Sequence, residues 1–229
     1  MYFDITYLII VLPAMLLAML ASANVNSTFK KYSKVISARR MTGHDAARRI
    51  LDANGLHNVA INRVAGDLTD HYDPRTNTVN LSNSVYDNPS VAAIGVASHE
   101  AGHAVQHAVG YSPIKLRMAI IPVTQIASKL ALPLVILGII LEFAGLAYVG
   151  CIFFAVATFF QLVTLPVEFN ASRRAIEAIE GAGILGSDEI QGSKKVLKAA
   201  AMTYVAALAV SLAQLLRLLI LVGGGRRRD

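Results

Sequence analysis

Cysteine is almost missing from this chain of 229 residues: Cys151 stands alone, inside an apolar run. An intrachain disulfide and a thiolate metal cluster are both excluded, so any metal must be held by nitrogen and oxygen. The lack of a disulfide suits a reducing compartment. Charge is scarce too, at 16% of residues against 55% apolar, with a mean hydropathy of +0.52. That balance excludes an ordinary soluble protein and makes a bilayer the first expectation. The formal net charge is +6, but the basic residues sit beside apolar runs and are not interleaved with aromatics. Lipid headgroups, and not nucleic acid, are therefore the expected partner.

Residues 5–24, "ITYLIIVLPAMLLAMLASAN", carry no charge over the length that a ~30 Å hydrocarbon core requires, with Pro13 as a kink at most. Ala21, Ser22 and Ala23 look like a signal-cleavage site, but the preceding "MYFD" has no Lys or Arg, so a retained anchor is the better reading. Residues 119–165 are apolar for too long to be one helix and read as a transmembrane hairpin turning near Glu142 to Gly145, with Lys129 near the interface. A last span covers residues 202–222, where Gln214 and Arg217 are expected to face other helices. Because the spans lack repeated carboxylates and histidines, a metal transporter is disfavoured.

Lys30, Lys31, Lys34, Arg39 and Arg40 follow the first span, and Arg173, Arg174, Lys194, Lys195 and Lys198 follow the hairpin. By the positive-inside bias, residues 25–118 and 166–201 are expected on the cytoplasmic face of a multi-pass cell-membrane protein. Arg226 to Arg228 in the closing "GGGRRRD" count against that orientation.

Between the spans, "MTGHDAARRILDANGL" reads as an amphipathic helix capped by Thr42, with Asp45 in its first turn and Gly55 closing it. "LTDHYDPRTNTVNLSNSVY" reads as a hairpin turning at "DPRTN". In its strand "TVNLS", Val79 and Leu81 share one face, while Thr78, Asn80 and Ser82 share the other. At a sheet edge such a strand could accept an extended peptide. Asn88, Pro89 and Ser90 open a long helix that ends near Gly110.

That helix carries "SHEAGHAVQHA". His99 and His103 stand one helical turn apart, so their imidazoles can converge on one ion, while Glu100 is placed to act on a water beside it. This is H-E-x-x-H, the zinc peptidase pattern in which the glutamate is the general base. His107 cannot be the third ligand: eight helical residues put it ~12 Å along the axis from His99, against zinc bonds of ~2 Å. Gln106 stands where a helix-breaking glycine would be needed to bring a later histidine round, and Val109 occupies that later position. His107 is expected to support the site or pack in the core. Glu142 lies at the far turn of the hairpin, Glu177 and Glu180 read as solvated partners of neighbouring arginines, and Asp188 and Glu189 as helix-start residues. Glu168, in what reads as the first exposed turn after the hairpin, is the expected third ligand.

"HEAGHAVQHA", "PVEFNASRRA", "DHYDPRTNTVNLS" and "TYVAALAVSLAQLLRLL" together resemble the YugP-type bacterial membrane zinc metallopeptidases over nearly the whole chain. A looser likeness links the chain to the CAAX-processing and heat-shock HtpX class, in which an E-x-x-A-D helix after a transmembrane hairpin supplies the third ligand. On that pattern the ligand is Glu168 and the alanine Ala171, but Ser172 stands where the aspartate should be. Support for a zinc histidine would then fall to Asn170 or Arg173.

The expected fold is mainly α and integral to the membrane: transmembrane helices plus a zincin-like metallopeptidase domain with a small β-hairpin or sheet. The expected activity is hydrolysis of peptide or membrane-protein substrates with one zinc ion per chain, held by His99, His103 and Glu168. Because the motif helix leads into the hairpin and the Glu168 helix leads out of it, the metal is expected near the membrane surface. For the oxyanion partner His107, Tyr204 and the Arg173–Arg174 pair stand open. A membrane scaffold or chaperone that holds zinc without turnover is the rival reading.

Overall fold

The structure, a computed structural model, describes residues 5–224. "MYFD" and Arg226 to Arg228 lie outside the described residues, and so does the orientation evidence drawn from them. A π-helical turn, Tyr7–Val11, runs into α1, Leu12–Tyr32. Then come α2 (Gly43–Ala53), β1 (Ala60–Val64), β2 (His71–Asp73), β3 (Thr78–Ser82) and α3 (Val91–Ala108). Three long helices complete the chain: α4 (Ser112–Ile140), α5 (Ala144–Gly181) and α6 (Ser187–Gly224). The fold is mainly helical with one small sheet, and four helical stretches are long and apolar enough to cross a membrane: Tyr7–Tyr32, Ser112–Ile140, Ala144–Gly181 and Ser187–Gly224.

Backbone contacts divide the chain into two compact units. One is built on Leu116–Leu165 with the described parts of Met1–Ser22 and Thr203–Asp229; the other comprises Ala23–Lys115 and Pro166–Met202. In the first, α4 and α5 are joined by a turn at residues 141–143, where Glu142 takes a left-handed φ of 52°. Close approach of the two arms depends on missing side chains: a Cβ at Gly138 would lie 2.4 Å from the Ala147 nitrogen, and one at Gly150 2.7 Å from the Ala131 carbonyl oxygen.

In the second unit, α2 begins with a capping box in which the Thr42 hydroxyl accepts from Asp45 N–H and the Asp45 carboxylate accepts from Thr42 N–H. The core gathers Ile50 and Leu51 of α2, Val79 and Leu81 of β3, Ile94 of α3 and Ile179 of α5. α3 is capped by the Ser90 hydroxyl, which accepts from Ala93 N–H. It is buried nearly all round, which accounts for its small residues. Gly95 admits Ser193 of α6, whose hydroxyl donates to the Val91 carbonyl at 2.8 Å. Gly102 admits α5: a Cβ there would lie 2.8 Å from the Ala171 carbonyl oxygen.

The sheet departs from the sequence reading. The hairpin of β2 and β3 is present, but an additional strand, β1, pairs in parallel with β3 and puts it in the centre, in the order β1-β3-β2. "TVNLS" is therefore not an edge, and most of its polar face is withdrawn from solvent: Thr78 and Ser82 are buried and Asn80 is half-buried. Asp70 takes up that polarity by accepting from both Ser82 N–H and the Ser82 hydroxyl. The free edge of the hairpin belongs to β2.

Candidate metal centre

His99 and His103, four residues apart on α3, present their Nε2 atoms 3.1 Å from each other. Glu168 of α5 brings Oε2 to 3.2 Å from His99 Nε2 and 3.5 Å from His103 Nε2. Among the described residues these three form the group of ligating side chains whose donor atoms converge, and all belong to the Ala23–Lys115 and Pro166–Met202 unit. Corners of a tetrahedron with ~2.0–2.1 Å bonds are about 3.3–3.4 Å apart. Two ring nitrogens and one carboxylate oxygen at 3.1, 3.2 and 3.5 Å fit that triangle.

Hydrogen bonds behind the rings decide which nitrogen faces the centre. Gln106 is fully buried, and its Nε2 donates to the Val167 carbonyl at 2.8 Å and to Asn170 Oδ1 at 2.9 Å. A backbone carbonyl only accepts, so the amide orientation is settled, and Gln106 Oε1 must face His103 Nδ1 at 3.0 Å. His103 Nδ1 therefore carries the proton and donates it to Gln106 Oε1, leaving the Nε2 lone pair free for a cation. His99 Nδ1 has a matching partner in the Ser172 hydroxyl at 3.1 Å. With its proton on that side, His99 also turns a lone pair inward.

Burial works against a charged His103 ring, but the Glu168 carboxylate and the nearby Glu100 charge outweigh it and hold its pKa above the ordinary histidine value. Glu100 is itself buried on α3 and is not one of the converging three. Burial also raises the Asp70 carboxyl; the Ser82 hydrogen bonds oppose this and the Glu100 charge adds to it.

The other sequence-derived candidates are placed as follows. Glu168 is buried, at 2% exposure, and not in an exposed turn, because α5 runs unbroken through Leu165 and packs this stretch onto α3. His107 Nδ1 lies 3.1 Å from the hydroxyl of Tyr72 on β2, which donates to Asn77 Oδ1. Arg173 pairs with Glu177, whereas Glu180 pairs with Lys194 and not with an arginine. Glu189 closes the start of α6 by accepting from Gly186 N–H and Ala38 N–H.

Sequence reading treated Gln106 only as the residue displacing a glycine, and it missed Tyr72. The signal for Gln106 was present, since it stands three residues after His103 on the same helical face. Support for the rings also differs from expectation: Ser172 itself holds His99, Asn170 acts through Gln106 with Arg174 Nε donating to it from behind, and Arg173 turns away.

Comparison with known proteins agrees with this geometry. The "Putative membrane protease YugP" of Bacillus subtilis (strain 168) is 48% identical over 220 residues, covering 96% of this chain and 98% of the relative. No solved structure matches the chain. A family described as "Putative neutral zinc metallopeptidase" matches residues 7–223. Since that match runs from the π-helical turn to the end of α6, the chain belongs to this family of zinc metallopeptidases.

Proposed function

We propose that this protein is a zinc-dependent endopeptidase of the membrane, with one ion per chain held by His99 Nε2, His103 Nε2 and Glu168 Oε2. The observation that carries this reading is the convergence of two imidazole Nε2 atoms and a carboxylate oxygen at tetrahedral spacing, with a hydrogen-bond partner at each outer ring nitrogen. When bound, zinc supplies Lewis acidity, polarising a peptide carbonyl and making a water easier to deprotonate. Glu100 accepts the proton from the attacking water on its carboxylate and delivers it to the departing amine nitrogen. Ser172 and Gln106 hold the two rings so that neither rotates or changes tautomer during the cycle.

Substrates are membrane proteins or membrane-proximal peptides, because α5 carries Glu168 just three residues beyond the apolar stretch that ends at Leu165. The lysines that follow the first span and precede the last favour a cytoplasmic active site. The test is metal analysis of purified wild type and Glu168→Ala, paired with cleavage of an unfolded membrane protein. Wild type should hold one zinc and cleave, and the variant should do neither. A variant with a full zinc complement would remove Glu168 from the ligand set.

A further inference from the structure

A groove of about 340 Å³ runs between the last turns of α1 and the early turns of α6. Its lining lies wholly within the Ala23–Lys115 and Pro166–Met202 unit and shares no residue with the metal centre. From α1 come Asn24, Thr28 and Lys31, and from α6 come Lys195, Lys198 and Met202. Both sets recur at helical spacing, so each helix turns one face into the groove.

Three ammonium groups line this groove and no carboxylate does. Among the described residues none of the three is in an ion pair, whereas the adjacent Lys194 is neutralised by Glu180. Like charges that line one groove repel one another, and an anion among them removes that repulsion. Asn24 and Thr28 add side-chain donors beside them.

The spacing of the walls is built into the sequence. A Cβ at Gly192 of α6 would lie 2.8 Å from the Tyr32 ring of α1 and 2.8 Å from Val91, so the bare backbone of Gly192 is what lets the end of α1 seat there. Along the chain these lysines border membrane-length apolar sequence: Lys31 closes the helical stretch that begins at Tyr7, and Lys195 and Lys198 precede the apolar part of α6. Basic residues flanking such spans stand at the level of lipid headgroups, where the phosphate most at hand is that of an anionic lipid.

We infer that the groove between Lys31, Lys195 and Lys198 binds the phosphate headgroup of an anionic glycerophospholipid. This does not depend on the peptidase reading. Full-length protein in neutral detergent would be titrated with phosphatidylglycerol, phosphatidylcholine or inorganic phosphate, and bound species counted by native mass spectrometry. Phosphatidylglycerol should bind in preference to the other two. Lys31→Gln/Lys195→Gln/Lys198→Gln should weaken it on the order of a hundredfold, from about fivefold per lysine. A control of equal charge change outside the groove, Lys30→Gln/Lys34→Gln/Lys115→Gln, should leave affinity within a few-fold of wild type. The altered lysines are exposed, and unchanged unfolding midpoints without lipid would confirm that both triple variants fold. Equal weakening by the control set would reduce the effect to overall charge and overturn the site. Equal binding of phosphatidylcholine, competition by inorganic phosphate at lipid concentrations, or tighter capture of an acidic peptide would each overturn the lipid assignment.

Discussion

Ile94 is fully buried, whereas Ile126 leaves 61% of its surface exposed, and each typifies its own unit. In Ala23–Lys115 with Pro166–Met202, the large aliphatic side chains close on one another around α3. In the unit built on Leu116–Leu165, the buried cluster is small, with Val135, Ala147, Cys151, Leu218 and Val222, while Ile9, Leu17, Ile140 and Ile152 point outward. One unit uses apolar residues to exclude water from a polar network; the other offers them to lipid. Hydropathy alone does not separate the two uses, since α3 is also rich in apolar residues. What separates them is where the large aliphatic side chains point, inward around α3 in one unit and outward in the other.

The largest effect that would sharpen this contrast is chemical. Glu100→Gln should slow peptide cleavage by about 10²–10⁴-fold while leaving the zinc content at one per chain, because it removes the proton acceptor and no ligand. Cleavage at the wild-type rate would remove Glu100 as the proton acceptor, whereas absence of cleavage by the zinc-loaded wild type would return the protein to the class of zinc-holding scaffolds. Next is the isoleucine pair itself. Ile94→Ala should destabilise the protein by about 2–5 kcal/mol through lost burial and a cavity, against less than about 0.5 kcal/mol for Ile126→Ala. Denaturation in mild detergent reads both, and equal losses would break the comparison.

A smaller effect probes the polar network. Ser172→Ala should weaken zinc binding by about 10–100-fold in chelator competition, and Ser172→Asp, which restores an acceptor to His99 Nδ1, should recover it. The smallest concerns Asp70. Its carboxyl titrates above its unfolded value, so its stabilising contribution is fullest below that value and is lost as pH rises through the folded one. The stability of wild type relative to Asp70→Asn should therefore grow as the pH is lowered from neutral towards 4, measured by thermal unfolding. A difference that is constant with pH would show that Asp70 is not the group responsible.

Much of this was legible in the amino-acid order. The four apolar helices, the turn at Glu142, the caps at Thr42 and Ser90 and the facing of His99 and His103 are local consequences of composition and helical period. Glu168 was reachable because chain continuity limits which carboxylates can return to α3. What escaped were the non-local partners. β1 declares itself only when paired with β3, and that pairing turns an apparent edge strand into a central one. Burial of Glu168 depends on how α5 lies on α3. Ser172 looks like a loss when set beside an aspartate pattern, and only the 3.1 Å contact with His99 shows that its hydroxyl takes that place.

Gly102 gives the motif a mechanical meaning. The atom it lacks is the one that would strike the Ala171 carbonyl, so the approach of α5 to the ligand triangle rests on an absence immediately before His103. Even a methyl group at that point would act as a wedge, prising the carboxylate of α5 off the imidazoles of α3 and opening the grip before any ligand had been altered. The two unnamed letters of H-E-x-x-H are, in this chain, half spacer, and the smallest residue in the motif works as the calliper for the whole centre.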